Sequence, residues 1–133
     1  EQPLSLVLFD VDWFKAFNDN HGHAVGDIVL QHLSNLIHQQ LRSGDHFFRL
    51  GGEEFALLLP DTDLTGAELA GERLRTALRA TPARHEGREL PITVSLGVAQ
   101  WRPGEPIENL LGRADATLYR AKSEGRDRTV VAY

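Results

Sequence analysis

The chain has 133 residues, of which 41% are apolar and 25% are charged, and its net charge is −5. These values predict one globular domain, residues 1–133, that buries a core without disulfides, since the chain contains no cysteine. They argue against a non-specific nucleic-acid binder, because phosphate backbones are held by clustered Lys and Arg, and we expect no nucleic-acid partner.

The first half of the chain predicts a strand, a helix and a hairpin. Residues 4–9 are apolar on both faces, which is typical of a central strand. Apolar residues at helical spacing predict a helix over 24–41. Two short strands follow at about 46–50 and 54–60, and the glycine pair between them predicts a tight hairpin turn.

The second half alternates between helices and strands. A helix is predicted over 64–80, and the polar turn at 85–88 leads into a β-branched strand over 92–98. Pro106 and Gly125 suit the two ends of a last helix, and residues 129–132 complete the sheet. This order predicts an α/β (α+β) fold with one central mixed sheet flanked by helices.

Acidic residues end the first strand and occupy the hairpin turn. Asp10 and Asp12 follow the first strand, and Glu53 and Glu54 follow the glycine pair. If the strands are neighbours in one sheet, these carboxylates converge and need a cation between them. Oxygen ligands without His or Cys favour Mg²⁺ or Mn²⁺, and Mg²⁺ commonly binds substrate phosphates as well. The hairpin alone leaves open a plainer interpretation, a solvated turn in which the glycines only make the bend.

Four segments resemble, in order, the GGDEF family of diguanylate cyclases. They are DVDWFKAFNDNHGHAVGD at 10–27, RSGDHFFRLGGEEF at 42–55, ITVSLGVA at 92–99 and ADATLYRAKSEGRDR at 114–128. The signature stands here in its GGEEF form. The resemblance implies a fold similar to the palm of nucleotide polymerases and to class III nucleotide cyclases. It also implies condensation of two GTP into cyclic di-GMP and two pyrophosphates, with Mg²⁺ or Mn²⁺ as cofactor.

The resemblance implies a metal and catalytic centre built on the acidic residues. The implied ligands are the Asp10 carboxylate, the Val11 carbonyl and Glu53, with Glu54 as a further candidate. Glu53 is also the position that activates the attacking 3′-hydroxyl, and Lys15 is assigned with it as catalytic. Asp12 matches the motif and is interpreted as a supporting or folding residue.

The resemblance also implies substrate contacts. Gly51 and Gly52 allow close approach of a ligand to the backbone. The other implied contacts are Asn18 and Asp27 at guanine, His23 beside the nucleotide, and Lys122 and Arg126, with Lys15, near the triphosphate. A carboxylate at Asp27 accepts from guanine N1–H and the 2-amino group, whereas adenine N1 is itself an acceptor.

The same residues have plainer interpretations. The segment 18–20 is also typical of a polar loop, and Asp27 is a favourable charge in a first helical turn. Lys122 and Arg126 are likewise typical of a helix C-terminus. A zinc pair of His21 and His23 is disfavoured, because no cysteine or obvious third ligand accompanies it.

A second site is predicted at Arg42 and Asp45, an RxxD segment five residues before the GGEEF motif. The family carries its product-inhibition site here, and Arg73 matches a further arginine of that site. Arg42 could bind guanine O6 and N7 as a fork, with Asp45 accepting from N1–H. The alternative is an incidental surface pair at a helix end.

One nucleotide pocket cannot close a ring from two GTP molecules, so we predict a homodimer with facing active sites. The family segment that carries the D-x-L-T and N-R motifs is expected to be missing before residue 1. Two other functions stay open: a non-catalytic module that binds cyclic di-GMP or GTP, and a polymerase-like or adenylyl cyclase relative that uses ATP. Asn18 and Asp27 disfavour the ATP-dependent relative.

A cysteine-free chain suits a reducing compartment, so a cytoplasmic location is expected. The longest apolar runs, such as 6–9 and 56–59, are far shorter than the roughly 20 residues that span a bilayer. No signal peptide is visible. We therefore expect no membrane contact from this domain, although a full-length protein could be anchored through other regions.

Overall fold

The computed structural model describes residues 2–133, which form seven strands and four helices. The elements in chain order are β1 (Leu4–Val11), α1 (Phe14–His21), α2 (His23–Gln40), β2 (His46–Gly51), β3 (Glu54–Pro60), α3 (Leu64–Ala80), β4 (Ala83–His85), β5 (Arg88–Leu90), β6 (Val94–Gln100), α4 (Ile107–Ser123) and β7 (Arg128–Val131). Over that range, none of the helices combines the length and the apolar character that a membrane crossing requires.

The predicted central mixed sheet is confirmed. Its five strands follow the order β2-β3-β1-β6-β7, and β4 and β5 form a separate two-stranded hairpin. β1 pairs antiparallel with both β3 and β6, whereas β7 is parallel to β6. β1 therefore lies at the centre of the sheet, which explains why its residues are apolar on both faces.

The side chains of β1 alternate between two cores. Val7, Phe9 and Val11 face the larger core, which they share with apolar residues of α1, α2 and α3. Leu6 and Leu8 face the smaller core, to which α4 contributes three buried residues, Leu110, Ala114 and Leu118. The sheet is thus covered by α1, α2 and α3 on one face and by α4 on the other.

Helix α1 was not among the elements predicted from hydrophobic periodicity. It has only eight residues, and its second half, Asn18–His21, is polar. Within residues 2–133 its N-cap residue, Trp13, makes no side-chain capping bond, so the usual start signal is missing as well. The helix forms because Phe14 packs into the larger core, which is a tertiary contact.

The polar turn at 85–88 is the tip of a small hairpin and not a simple connection. His85 pairs with Arg88 across it, and Glu86 and Gly87 both have positive φ, +51° and +77°. Two positive φ values in succession are typical of a tight hairpin turn. Strands of three residues are too short to be detected by periodicity.

Helix α4 packs unusually close to the sheet at Gly97 of β6. A Cβ placed on Gly97 would lie 2.3 Å from the Leu118 nitrogen and 2.5 Å from the Ala114 oxygen. Both atoms belong to the helix backbone, so a side chain at this position would force the helix away from the sheet.

We expect Gly97→Ala to lower the free energy of unfolding by about 1–3 kcal/mol, because the added methyl overpacks this contact. Gly112→Ala in α4 is the matched control. A Cβ at Gly112 meets no atom of residues 2–133 within 4 Å. That variant should be about 0.5–1 kcal/mol more stable, because Ala is the better helix former. Urea denaturation followed by circular dichroism measures both changes, and equal effects of the two substitutions would contradict the close packing.

Candidate active site

The end of β1 and the turn before β3 meet in the sheet, as the sequence predicted. Asp10 pairs with Glu54 in the antiparallel register, and the Val11 amide donates to the Glu53 carbonyl at 3.2 Å. The acidic residues of two distant segments are therefore neighbours. Their proximity follows from strand pairing and does not require a flexible loop to close.

The turn itself is held by Arg49, a residue that the sequence analysis did not single out. Its Nε and Nη2 atoms both donate to the Gly52 carbonyl, at 2.9 and 2.7 Å. Gly52 has φ +50°, which favours glycine at this position. An arginine two residues before a Gly-Gly turn was the available signal, because a guanidinium can bind an outward carbonyl with two N–H groups.

A cavity of about 360 Å³ lies at this end of the sheet. It brings together six of the predicted site residues, namely Asp10, Val11, Lys15, Glu53, Lys122 and Arg126. They come from β1, α1, the turn before β3, and the end of α4 with the loop that follows it. Because α1 and α4 cover opposite faces of the sheet, both layers of the fold supply cations to the same opening.

Asp10 is the buried charge of this cavity. Lys122 donates from Nζ to Asp10 Oδ2, and Asp10 Oδ1 is buried without a hydrogen-bond partner among residues 2–133. Burial raises the pKa of the Asp10 carboxyl, and the charges of Glu53 and Asp12 add to the rise, although Lys122 opposes it. The fold therefore disfavours the ionised form of the Asp10 carboxyl.

Glu54 is subject to the same kind of repulsion. Burial raises the pKa of its carboxyl, and the charges of Asp10, Asp115 and Glu53 raise it further against the opposing effect of Lys122. Raised pKa values at two neighbouring carboxyls beside a cavity are common at functional sites, where burial and like charges are brought together.

The oxygen donors at the cavity form a partial set for a divalent cation. No group of three or more His, Cys, Asp or Glu side chains in residues 2–133 is arranged around one point as a complete cage. Even so, the unpartnered Oδ1 of Asp10 and the oxygen donors of the adjoining Glu53 and Glu54 match a hard cation. Such a partial set suits an ion that also takes oxygen atoms from a phosphate.

Asp12 has a different role from Asp10, although Asp10 lies near the end of β1 and Asp12 directly follows that strand. Its Oδ1 accepts from Ser95 Oγ at 2.6 Å, and its Oδ2 accepts from Thr93 Oγ1 at 2.7 Å and from the Asp127 amide at 3.0 Å. These bonds join β1 to β6 and to the loop after α4. The contacts agree with the interpretation of Asp12 as a folding residue.

The residues predicted to contact guanine lie outside the 360 Å³ cavity. Asp27 is exposed and lines a separate cavity of about 280 Å³ with Arg49 and Phe55. Asn18 is half-buried, and its Oδ1 has no partner among residues 2–133. A Cβ on Gly26 would lie 1.9 Å from that oxygen, so glycine at this position of α2 lets Asn18 keep its present side-chain conformation.

Two other predicted substrate contacts are exposed. His23 is the first residue of α2, and Gly51 ends β2, each with a largely exposed surface. Both are accessible to a ligand, but neither lines the cavity around Asp10.

The residues of the predicted second site lie together. Arg42, Asp45 and Arg73 line one cavity of about 220 Å³, whose apolar walls come from the end of α2, from β3 and from α3. The Arg42 amide donates to Asp45 Oδ2 at 2.9 Å, and Arg42 Nη2 donates to Thr62 Oγ1 at 2.6 Å. Helix α3 thus brings Arg73 beside the RxxD segment, although Arg73 lies 28 positions after Asp45 along the chain.

We expect Asp12→Ala to lower the free energy of unfolding by about 2–4 kcal/mol, because it leaves three donors unpaired. Asp10→Asn is the matched control and should leave stability at pH 7 unchanged or higher. Because folding raises the pKa of Asp10, protonation of this carboxyl stabilises the fold at pH values below its ordinary pKa. This contribution to the free energy of unfolding is lost as the pH rises through the pKa of the folded state.

The free energy of unfolding of Asp10→Asn should therefore exceed that of the wild type by less and less as the pH is lowered from 7 towards 3. Thermal unfolding of both proteins between pH 3 and pH 7 measures this difference. A larger loss of stability for Asp10→Asn than for Asp12→Ala would contradict the division of roles.

Comparison with known proteins agrees with this geometry. The family model described as "Diguanylate cyclase, GGDEF domain" matches residues 1–128. The diguanylate cyclase DgcP of Pseudomonas aeruginosa is 44% identical over 129 residues, which cover 97% of this chain and 19% of that protein. The chain thus spans about a fifth of the length of that relative.

Two solved structures have the same fold. The GGDEF domain of DgcB from Caulobacter crescentus, in complex with c-di-GMP, is 34% identical with a TM-score of 0.92, covering 98% of this chain and 78% of that one. The active GGEEF domain of a diguanylate cyclase from Vibrio cholerae is 33% identical with a TM-score of 0.90, covering 99% and 84%. Since the family model matches nearly the whole chain, this protein belongs to the diguanylate cyclase GGDEF domain family.

Proposed function

We propose that this domain condenses two GTP molecules into cyclic di-GMP and two pyrophosphates. The observation that carries the proposal is the meeting of Asp10, Val11 and Glu53 with Lys15, Lys122 and Arg126 around one cavity. Carboxylates and cations at one opening suit a substrate that brings both a divalent cation and a triphosphate. The family membership and the relatives named diguanylate cyclase support the same reaction.

Asp10, the Val11 carbonyl and Glu53, with Glu54 beside them, would hold Mg²⁺ or Mn²⁺. When bound, the ion neutralises charge on the phosphates during transfer. Lys122 pairs with Asp10 in the free domain. We infer that this pair opens when substrate enters, because Asp10 then gains a cation and Lys122 gains a phosphate. The exchange keeps the buried charge of Asp10 and the half-buried charge of Lys122 compensated.

The phosphates are assigned to the cations and to the start of α1. The first amides of this helix follow Trp13, at the edge of the cavity, and backbone N–H groups at a helix N-terminus bind anions. Lys15, Lys122 and Arg126 supply the positive charge. Positioning and charge neutralisation are the main requirements of phosphoryl transfer, and these groups provide both.

Guanine is assigned to Asn18 and Asp27, and His23, Gly51 and Gly52 are assigned as further contacts of the nucleotide. The exposed Asp27 carboxylate is free to accept from N1–H and the 2-amino group. Adenine would leave that carboxylate facing the N1 acceptor, which is unfavourable. The domain should therefore prefer GTP to ATP.

The chemical step is assigned to Glu53 acting between two half-sites. Glu53 takes the proton of the 3′-hydroxyl of one GTP. The oxygen forms a bond to the α-phosphorus of the other GTP, and the bond to pyrophosphate breaks. The reaction occurs twice to close the ring, so two copies of the domain must face each other, each supplying one GTP. Because GTP is the substrate, the cytoplasm is the compartment that we propose.

The cavity around Arg42, Asp45 and Arg73 is assigned to the product as inhibitor. Two arginines and one carboxylate match the donor and acceptor edges of guanine, and the apolar walls suit a flat base. Binding at a site distinct from Asp10 would let the product regulate its own synthesis.

The proposed reaction predicts that the wild type makes cyclic di-GMP from GTP with Mg²⁺ and makes no cyclic product from ATP. Glu53→Gln should reduce the rate by about 10²-fold or more, because it removes the proton acceptor and a ligand oxygen. Chromatography of the products measures this effect. Glu89→Gln, on the exposed β4–β5 hairpin, is the control and should retain full activity.

The same assay repeated over a dilution series tests the facing dimer, since the rate per chain should fall as the domain dissociates. GTP binding without product at any concentration would favour the non-catalytic binding module. Product formed by Glu53→Gln at the wild-type rate would contradict the assignment of the base.

Product inhibition predicts that Arg42→Ala makes cyclic di-GMP at the wild-type initial rate but no longer slows when product is added. The reason is that Arg42 lies in the 220 Å³ cavity and not in the cavity around Asp10. Initial rates with increasing cyclic di-GMP provide the measurement, with Arg84→Ala as a surface control on β4. Inhibition that is unchanged in Arg42→Ala would overturn the assignment.

A further inference from the structure

Trp13 is an exposed aromatic residue in an unfavourable conformation. Trp13 is 66% exposed to solvent. Its φ is +60°, in the left-handed region that bulky residues rarely adopt. Packing into either core does not explain it, because Trp13 belongs to neither core cluster. Such strain at the edge of a cavity suggests a functional constraint.

The Trp13 ring instead contacts Arg126. The central guanidinium carbon of Arg126 lies 3.9 Å from the ring centroid, which is close enough for a cation–π contact. Arg126 Nη1 also donates to the Lys122 carbonyl at 3.3 Å, and Arg126 has φ +64°. Both Trp13 and Arg126 line the cavity that contains Asp10 and Glu53.

The charge of Arg126 is not neutralised by an ion pair anywhere in residues 2–133, which distinguishes it from Lys122. Lys122 pairs with Asp10, whereas the guanidinium of Arg126 contacts an aromatic ring and a carbonyl. An aromatic face restricts an arginine side chain without cancelling its positive charge. A carboxylate in the same place would hold the side chain but would also compete with an incoming phosphate.

Asp127, the residue after Arg126, holds the backbone of the loop after α4 in place. The Asp127 amide donates to Asp12 Oδ2 at 3.0 Å, and its carboxylate accepts from Arg75 at 2.9 Å and from Arg79 at 3.1 Å. The backbone of the loop is therefore anchored to β1 and α3. The long Arg126 side chain has two contacts of its own, the bond from Nη1 to the Lys122 carbonyl and the face of the Trp13 ring.

We propose that Trp13 is a positioning residue, which holds Arg126 over its indole face so that the guanidinium is already directed at the triphosphate before nucleotide binds. The inference rests on the proposed function, in which Arg126 binds phosphate. Ordering a free arginine on binding costs rotamer entropy, and the contact with Trp13 removes part of that cost in advance.

The test measures binding of a GTP analogue that has a methylene group between the α- and β-phosphates, with Mg²⁺, by titration calorimetry. Trp13→Leu should weaken binding about two- to tenfold, because a free arginine side chain must then be ordered when the analogue binds. Trp13→Phe keeps an aromatic face and should restore at least half of the lost affinity. In an Arg126→Ala background, Trp13→Leu should have no further effect, because Trp13 acts through Arg126.

Fluorescence tests the contact without nucleotide. The chain has two tryptophans, so Trp101→Phe leaves Trp13 as the reporter. In that background Arg126→Ala should shift the emission of Trp13. Arg120→Ala, an exposed change on α4 whose partner is Glu124, should not shift it.

Three outcomes would overturn the inference. The first is wild-type affinity in Trp13→Leu. The second is a loss of affinity on adding Trp13→Leu to Arg126→Ala that equals the loss in the wild type. The third is an emission of Trp13 that does not respond to Arg126→Ala. Binding of the analogue without cyclic di-GMP synthesis from GTP would overturn the proposed reaction but not this inference. A wild type that does not bind the analogue would overturn both.

Discussion

The antiparallel register between β1 and β3 is the constraint on which the candidate site depends. It places Asp10 opposite Glu54 and joins the Val11 amide to the Glu53 carbonyl. A shift of one residue would exchange the two faces of β1 and turn Val7 and Phe9 out of the larger core towards α4, where other side chains already fill the smaller core. The burial of the core thus fixes the position of the carboxylates, so the same pairing sets the stability of the sheet and the geometry of the candidate site.

The site is also a place where the fold keeps charges that it does not need for stability. The raised pKa values of Asp10 and Glu54 follow mainly from burial, and Lys122 only partly offsets the effect. Asp12, two residues from Asp10, is by contrast fully bonded to β6 and to the loop after α4. One carboxylate of the motif therefore holds the scaffold together, while the other remains available to a ligand.

The cavity draws on both layers of the molecule. α1 follows β1 on one face of the sheet, and α4 delivers Lys122 from the other face, with Arg126 in the loop behind it. The close approach of α4 to Gly97 fixes the height of that helix above the sheet. On the opposite side, α3 lines the second cavity with Arg73 and holds Asp127 through Arg75. A single helix therefore contacts both the second cavity and the loop that carries Arg126.

The sequence by itself determined the mixed sheet, the long helices and the tight turn that carries Glu53, because apolar periodicity and a glycine turn are local signals. The meeting of Asp10 with Glu53 depended on the pairing of β1 with β3, which the structure supplies. Only the tertiary structure decided the rest. Helix α1 forms through the packing of Phe14, which its polar residues do not reveal. The clamp of Arg49 on Gly52 and the contact of Arg126 with Trp13 depend on side-chain direction. Residues 113 positions apart, such as these last two, are brought together by the packing of whole elements, which no local pattern encodes.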